Sequence, residues 1–301
     1  MYVAPLAGLI RSFGVKYHQY ADDTQLYLAI SRDNSAVQLS TLEQCIRSVH
    51  EWMLHNGLAL NPSKTDAIQF TTGRGRSCVD DVACINVSGA AIQPATTVKS
   101  LGVVLDRRLS FDQHVSSVCR ACYFHIRALR HIRDSLPDDV ARTVACSIVS
   151  SRLDYCNALY AGMSTDNFKK LQRVQNTLAR VILQQRKFDH ITPSLIHLHW
   201  LPIQQRVNFK LATLTFKIVH TQQPAYLSDL LSLYEPSRQL RSSSQTLLYR
   251  HRSRTILATR SFKHTSVAIW NSLPAHIRNL SSITSFRSHL KSFLFRAAFA
   301  T

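Results

Sequence analysis

The stretch VKYHQYADDTQLYLAI, residues 15–30, places two aspartates between two runs that are rich in β-branched and aromatic residues. Such runs favour strands, so the stretch predicts a β-hairpin with Ala21, Asp22 and Asp23 near its tip. Adjacent carboxylates repel each other, and a bound cation would make the pair favourable. Mg²⁺ suits the site, because it takes one or two carboxylates together with water or phosphate oxygens. A solvated acidic turn is the alternative interpretation, since Asp is common in turns.

Positive charge is concentrated in the C-terminal part of the chain. The 301 residues contain 36 Lys and Arg against 18 Asp and Glu, a formal net charge of +18. Residues 1–112 hold ten basic and ten acidic residues, whereas residues 113–301 hold 26 basic and eight acidic residues. No acidic residue follows Glu235. A charge balance of this kind is typical of proteins that bind phosphate backbones.

The cysteines and the hydropathy narrow the class of protein further. Seven Cys residues, an odd number without the spacing of a secreted scaffold, predict a reducing environment and no disulfides. No apolar run reaches the length of a membrane span, and the first residues lack the pattern of a signal peptide. We therefore expect an intracellular protein, nuclear or cytoplasmic, that does not contact a membrane.

The first part of the chain is predicted to be α+β. After the hairpin, apolar residues at helical spacing from Leu42 to Met53 predict an amphipathic helix that ends at Asn56 and Gly57. A strand is predicted in KTDAIQFTT, residues 64–72, and short strands in ACINVSGAAIQPATTVKSLGVVLD, residues 83–106.

From about Ser110 onward the pattern predicts helices. The first covers FDQHVSSVCRACYFHIRALRHIR, residues 111–133; a second begins at Pro137, a third after Ser164 as N-cap, and a fourth at Pro202. A short helix is predicted at residues 225–234. The first and third helices carry six basic residues away from their apolar stripes: Arg120, Arg127, Arg130, Lys169, Arg173 and Arg180. These six residues are predicted to bind nucleic acid, and the alternative is an ordinary solvated helix face.

Three motifs occur in a fixed order: YADD at residues 20–23, HNGLALNPSKT at residues 55–65 and VKSLGVVLD at residues 98–106, all ahead of the basic helices. This order resembles the reverse transcriptases of non-long-terminal-repeat retrotransposons, the jockey-like LINE elements. The C-terminal stretch, residues 262–295, is also similar to the ends of those open reading frames. The resemblance implies part of a reverse-transcriptase palm in residues 1–112, a helical thumb in 113–190 and a basic C-terminal region in 191–301.

The resemblance also implies an activity and a role for single residues. It implies an RNA-directed DNA polymerase that uses Mg²⁺, with an RNA template and a DNA primer, or their duplex, as partners. The implied catalytic residues are Asp22, Asp23 and Lys64, of which the two aspartates bind the metal. The active-site turn would be formed by Tyr20 and Ala21, and the primer grip by Leu101 and Gly102. A surface lysine in a loop is the alternative for Lys64.

One part of the implied metal site lies outside this sequence. The family's site includes an aspartate on an earlier palm strand, and no Asp or Glu precedes Asp22 here. We therefore expect an N-terminally truncated element or an incomplete gene model that binds Mg²⁺ poorly and lacks polymerase activity alone. A separate chain that supplies the missing aspartate is a further possibility. The alternative function is a non-catalytic, basic helical module that binds an acidic protein partner.

Two other groups of metal-ligating residue types carry weaker patterns. CRACYFH contains Cys119, Cys122 and His125, but no second pair follows at the spacing of a structural zinc site. His190, His197 and His199 lie in an apolar segment without partnering cysteines. We expect packed or surface residues at both places rather than zinc.

Overall fold

The structure, a computed structural model, describes residues 2–31, 33–71, 84–235 and 246–299. They divide into two units, Met1–Leu109 and Ser110–Thr301. The first unit mixes helices and short strands and the second is helical, in agreement with the predicted mixed fold class. The finer division at residues 112 and 190, and the names palm and thumb, remain predictions.

The first unit contains the predicted hairpin. Its elements are α1 Leu6–Ser12, β1 Lys16–Tyr20, β2 Asp23–Tyr27, α2 Ser35–His55, β3 Ala67–Ile68, β4 Ile85–Val87, β5 Ala90–Ile92, β6 Pro94–Ala95, β7 Thr97–Ser100 and β8 Val103–Asp106. Among them, β1–β2, β4–β5 and β7–β8 are antiparallel pairs, and β3 pairs with β6 in parallel. A 3-10 turn, Pro62–Lys64, lies between α2 and β3.

Helix α2 provides much of the apolar core of this unit. Leu42, Cys45 and Val49 are buried at helical spacing and pack in one cluster with Leu6 and Ile10 of α1. The helix ends where the sequence predicts, because Asn56 leaves helical geometry and Gly57 adopts a φ of +68°. The hairpin β1–β2 contributes partly buried side chains to the same cluster.

The second unit is built from helices of very different length. They are α3 Asp112–Ile132, α4 Asp138–Ala145, α5 Ser151–Asp154, α6 Thr165–Ile182, α7 Thr192–His197, α8 Ile203–Thr221, α9 Ala225–Ser228, α10 Ile256–Thr259, α11 Phe262–Ser272, α12 Ala275–Arg278 and α13 Ile283–Phe299. A π-helical segment, Cys146–Ser150, continues α4 into α5. No helix of the described residues is long and apolar enough to span a membrane.

The predicted starts of three helices agree with the structure to within one residue. The Ser164 side chain accepts a hydrogen bond from the backbone N–H of Asn167 and so caps α6. Helix α8 begins at Ile203, one residue after the predicted Pro202, whose ψ of 154° is extended. The prediction that Pro137 is the first helical residue of α4 is wrong by one position, because its ψ of 153° is extended and the helix begins at Asp138.

The helix predicted at residues 225–234 is shorter than expected. Helix α9 ends at Ser228, and Leu233 instead forms an antiparallel bridge with the buried Leu248. Backbone pairing of an extended segment replaces the last turns of the predicted helix. The intervening residues 236–245, which include part of the Ser- and Arg-rich stretch, lie outside the described residues.

An aromatic cluster joins the C-terminal helices, whose fold could not be predicted. The rings of Phe216 on α8 and Phe286 on α13 stack with centroids 4.3 Å apart. Trp270 on α11 lies 5.9 Å from Phe286, and its indole N–H donates to the carbonyl of Thr246 at 2.8 Å. Burial of three large rings makes this cluster a major source of stability for the region.

Candidate functional site

The two aspartates lie at the end of a tight hairpin. Tyr20 pairs with Asp23, which leaves Ala21 and Asp22 as a two-residue loop. Ala21 has a φ of +54°, the left-handed conformation that the first loop residue of such hairpins adopts and that Ala adopts at a cost. Asp22, Asp23 and Tyr20 are exposed. The turn therefore presents both carboxylates to solvent.

The hairpin is linked to the strand pair β7–β8. The side-chain amide of Gln25, two residues after Asp23 on the same exposed face of β2, donates a hydrogen bond to the Ser100 hydroxyl. Ser100 is followed by the predicted primer-grip residues Leu101 and Gly102, which form the β7–β8 turn with φ values of +45° and +80°. The fold thus brings together two of the motifs that the sequence separates by about 75 residues.

Lys64 is the last residue of the 3-10 turn that follows α2. The Asn61 side chain accepts from the backbone N–H of Ser63 and fixes the start of this turn. The Lys64 side chain is exposed, and within the described residues it forms no ion pair with Asp22 or Asp23. The structure therefore brings the two aspartates together but does not join Lys64 to them.

The described residues do not complete a metal site. Carboxylate oxygens are suitable ligands for Mg²⁺, and Asp22 and Asp23 provide two exposed carboxylates. Throughout residues 2–31, 33–71, 84–235 and 246–299, however, no group of three or more His, Cys, Asp or Glu is arranged to hold a metal ion. The aspartate pair alone does not fit a closed two-metal site. Within these residues, no such group forms around Cys119, Cys122 and His125, or around His190.

The six predicted basic residues differ in how they are engaged. Arg120, Arg127 and Arg130 on α3 are exposed, and within the described part of the chain their guanidinium groups have no hydrogen-bond or ion-pair partner. On α6, Lys169 lies 3.3 Å from a carboxylate oxygen of Asp166. That ion pair partly offsets the positive charge of Lys169, whereas the three arginines of α3 have no such partner among the described residues.

The other two predicted residues on α6, Arg173 and Arg180, differ in exposure and in hydrogen bonding. Arg173 is exposed and has no side-chain partner among the described residues. Arg180 is half-buried, and its guanidinium donates to the backbone carbonyl of Asp189 at 3.1 Å. Arg180 therefore helps to hold the segment after α6 and is less available than Arg173 to a ligand.

A buried polar contact that no sequence pattern predicts lies inside the second unit. The Tyr160 hydroxyl and Nε2 of His114 share a hydrogen bond of 3.1 Å. Burial lowers the pKa of His114 and raises that of Tyr160, because each charged form would lose its hydration. Burial therefore favours the neutral form of both residues.

The thiols of α3 are not set up as nucleophiles. The described cysteines are free. Burial raises the pKa of Cys119, and it raises that of Cys122 to about 12. Since the thiolate is the reactive form, both groups stay protonated and unreactive.

Comparison with known proteins gives three polymerases of mobile elements. The chain is 26% identical over 166 residues to a probable RNA-directed DNA polymerase from transposon BS of Drosophila melanogaster. It is 23% identical over 168 residues to the RNA-directed DNA polymerase from mobile element jockey of Drosophila funebris. A probable RNA-directed DNA polymerase from transposon X-element of Drosophila melanogaster matches at 26% over 135 residues.

These curated homologues are polymerases of non-LTR retrotransposons. The predicted resemblance to that class of polymerase is therefore confirmed. The matches cover 54%, 54% and 44% of this chain. They span only 18%, 17% and 14% of the homologous polymerases. No protein-family model matches the chain, and no solved structure does.

Proposed function

We propose that this chain is a nucleic-acid-binding part of a non-LTR retrotransposon RNA-directed DNA polymerase. In this proposal the first unit carries the second half of the palm, and the helices from α3 to α6 form the thumb. The ligand is an RNA template paired with a DNA primer. The intracellular compartment, nuclear or cytoplasmic, follows from that role and belongs to the proposal.

The contact between Gln25 and Ser100 is the observation that carries the proposal. It places the β7–β8 turn, with Leu101 and Gly102, beside the hairpin that presents Asp22 and Asp23. A polymerase needs its metal-binding carboxylates and its primer-positioning residues close together, because the primer 3′-hydroxyl must reach the metal. The contact between the two hairpins therefore supports the proposal.

Metal binding is proposed only in part. Asp22 and Asp23 would supply two oxygen ligands for Mg²⁺, and Tyr20 and Ala21 would shape the turn. Lys64 would act on the leaving pyrophosphate when the substrate is bound. Because the described residues do not complete the site, no catalytic step is assigned to this chain, and we expect no nucleotidyl transfer from it alone.

The thumb proposal rests on electrostatics. Residues 113–133 contain no Asp or Glu, so the positive charge of Arg120, Arg127 and Arg130 is not offset along α3. Phosphate contacts of this kind do not depend on the nucleotide sequence. They weaken steeply as the salt concentration rises, because binding releases counterions from the nucleic acid. Arg173 and, more weakly, Lys169 and Arg180 would extend the contact on α6.

The test measures binding of the 301-residue chain to a fluorescent RNA–DNA primer–template duplex over a series of salt concentrations. We expect binding at low salt and a steep loss with salt. The same chain should show no primer extension with Mg²⁺ and deoxynucleotides. Extension that is abolished by Asp22→Ala would contradict the incomplete site, and absence of duplex binding at low salt would contradict the proposal. The comparisons give no support to the alternative, a module for an acidic protein partner.

A further inference from the structure

The outer face of α3 carries an exposed aromatic side chain. Phe124 is 63% exposed, although Phe is usually buried. The buried side of the same helix is formed by Val115, Cys122, Ile126 and Leu129. With 100° between successive helical residues, Phe124 lies opposite that stripe, on the side that faces solvent. Its ring does not belong to the apolar core.

Cationic side chains flank this ring on the same helix face. Arg120 precedes Phe124 by four residues and Arg127 follows it by three, so both are its neighbours on the helix surface. Along the axis they are about 6 Å and about 4.5 Å away, given a rise of 1.5 Å per residue. Neither guanidinium has a partner within the described residues. His131 continues the face one turn further.

An aromatic ring between two unpaired guanidinium groups matches one ligand chemistry in particular. Phosphates pair with arginines, and a nucleobase stacks on an exposed ring of any aromatic residue. Inside a duplex, away from its two ends, both faces of each base are already covered by neighbouring bases. Only an unpaired, unstacked base can present a free face to Phe124.

Phe124 contributes little to the packing of the fold. Its ring contact among the described residues is an edge-to-face arrangement with His125, with centroids 5.3 Å apart. Replacement of Phe124 should therefore leave the helix and its core intact, which allows its role in binding to be tested separately.

We propose that the outer face of α3 binds single-stranded nucleic acid, with a base stacked on Phe124 and phosphates paired with Arg120 and Arg127. This inference rests on the proposed function that the chain binds nucleic acid. Arg120 and Arg127 would pair with phosphates of a duplex or of a single strand, and Phe124 would favour the single strand because only an unpaired base can stack on its ring.

The test compares a single-stranded oligonucleotide that contains a fluorescent adenine analogue with a fully paired duplex of the same length. The proteins are the wild-type chain and the variants Phe124→Ala, Phe124→Leu and Phe124→Trp. We expect Phe124→Ala and Phe124→Leu to weaken single-strand binding about ten-fold or more and to remove the quenching of the analogue that stacking causes. Phe124→Trp should preserve both, and duplex affinity should change less than about two-fold.

A control on the same helix separates stacking from lost apolar surface. Ile132 is 51% exposed near the end of α3, and Ile132→Ala should leave single-strand binding unchanged. If the chain binds the duplex, but Phe124→Ala weakens binding of the single strand and of the duplex equally, the stacking role is wrong. The same holds if Phe124→Ala changes neither affinity, and in both cases the proposed function stands. If neither nucleic acid binds at low salt, both proposals fail. Binding to anionic lipid vesicles alone, lost in Phe124→Ala, would instead assign this face to a membrane surface.

Discussion

The side-chain amide of Gln25 donates a hydrogen bond to the hydroxyl of Ser100, across about 75 residues of sequence. The bond joins a hairpin that ends in two aspartates to a second hairpin whose turn is Leu101 and Gly102. Isolated two-stranded hairpins are only marginally stable in water. The link between them therefore matters for how firmly the first unit holds its two turns in place.

Loss of this link should loosen the hairpin tip more than it destabilises the whole chain. For Gln25→Ala we expect a loss of about 0.5–1 kcal/mol in the free energy of unfolding, the range of one exposed hydrogen bond. Amide exchange at residues 20–23 should become faster. Hydrogen–deuterium exchange with mass spectrometry measures this, with Gln113→Ala, on the exposed face of α3, as the matched control. Equal exchange in wild type and Gln25→Ala would contradict the proposed role.

The carboxylates at the tip should matter for metal binding and not for folding. Asp22 and Asp23 are exposed, and Asp22→Asn removes one of two adjacent like charges. We expect the free energy of unfolding in urea to change by less than about 0.5 kcal/mol. Weak Mg²⁺ binding by wild type, followed by calorimetric titration, should fall further in the variant. Tight Mg²⁺ binding that survives Asp22→Asn would show that the ion is held elsewhere.

The three arginines of α3 should account for much of the salt dependence of duplex binding. Each phosphate contact contributes about 0.9 to the slope of log affinity against log salt. Replacing Arg120, Arg127 and Arg130 with Ala should reduce that slope by about 2–3. Lys169→Ala should have a smaller effect, because Lys169 already pairs with Asp166.

A charge-matched control is available on α8. Lys210 and Lys217 are exposed there, and their joint replacement by Ala removes two positive charges away from α3. If this pair reduces the salt slope by as much per charge as the arginines do, binding depends on net charge and not on the α3 face.

His114 should make stability depend on pH. Burial lowers its pKa in the folded chain, whereas the unfolded chain keeps a value near the ordinary one of about 6.5. Below about pH 6.5 the unfolded state binds the proton more readily, so stability falls as pH decreases, by at most about 1.4 kcal/mol per pH unit. Urea unfolding of wild type and His114→Phe across this range checks the effect. The variant should show a shallower decline, and identical pH profiles would contradict the assignment.

The aromatic cluster of the C-terminal helices should be essential for their folding. Phe286 is fully buried between Phe216 and Trp270. Truncation to Ala should cost about 3–5 kcal/mol, because it removes the buried ring and leaves a cavity. Thermal unfolding followed by circular dichroism measures this loss. Phe124→Ala, an exposed position, is the control and should cost far less.

Local signals in the sequence are sufficient for several elements but not for the contacts between them. The hairpin at Asp22, the cap at Ser164 and the end of α2 at Gly57 each depend on residues within a few positions of one another. The contact of Gln25 with Ser100 depends on packing between distant segments, and an exposed Gln gives no sign of its partner.

In the second unit, too, the sequence predicts local structure but not the contacts of individual side chains. The periodicity of α3 predicted its buried and exposed sides, and so placed its arginines on the outside. It could not indicate which of the six basic residues would be engaged by Asp166 or by the carbonyl of Asp189. The sequence does not predict the fold of residues 191–301, because the core of this region joins aromatic rings that are far apart in the sequence.

We propose above that this chain is a nucleic-acid-binding part of a retrotransposon polymerase. The most direct test is the affinity of the 301-residue chain for an RNA–DNA primer–template duplex, measured by fluorescence anisotropy as salt is raised. We expect binding at low salt, a steep decline with salt, and a shallower decline after replacement of Arg120, Arg127 and Arg130. Failure to bind the duplex even at low salt would contradict this proposal.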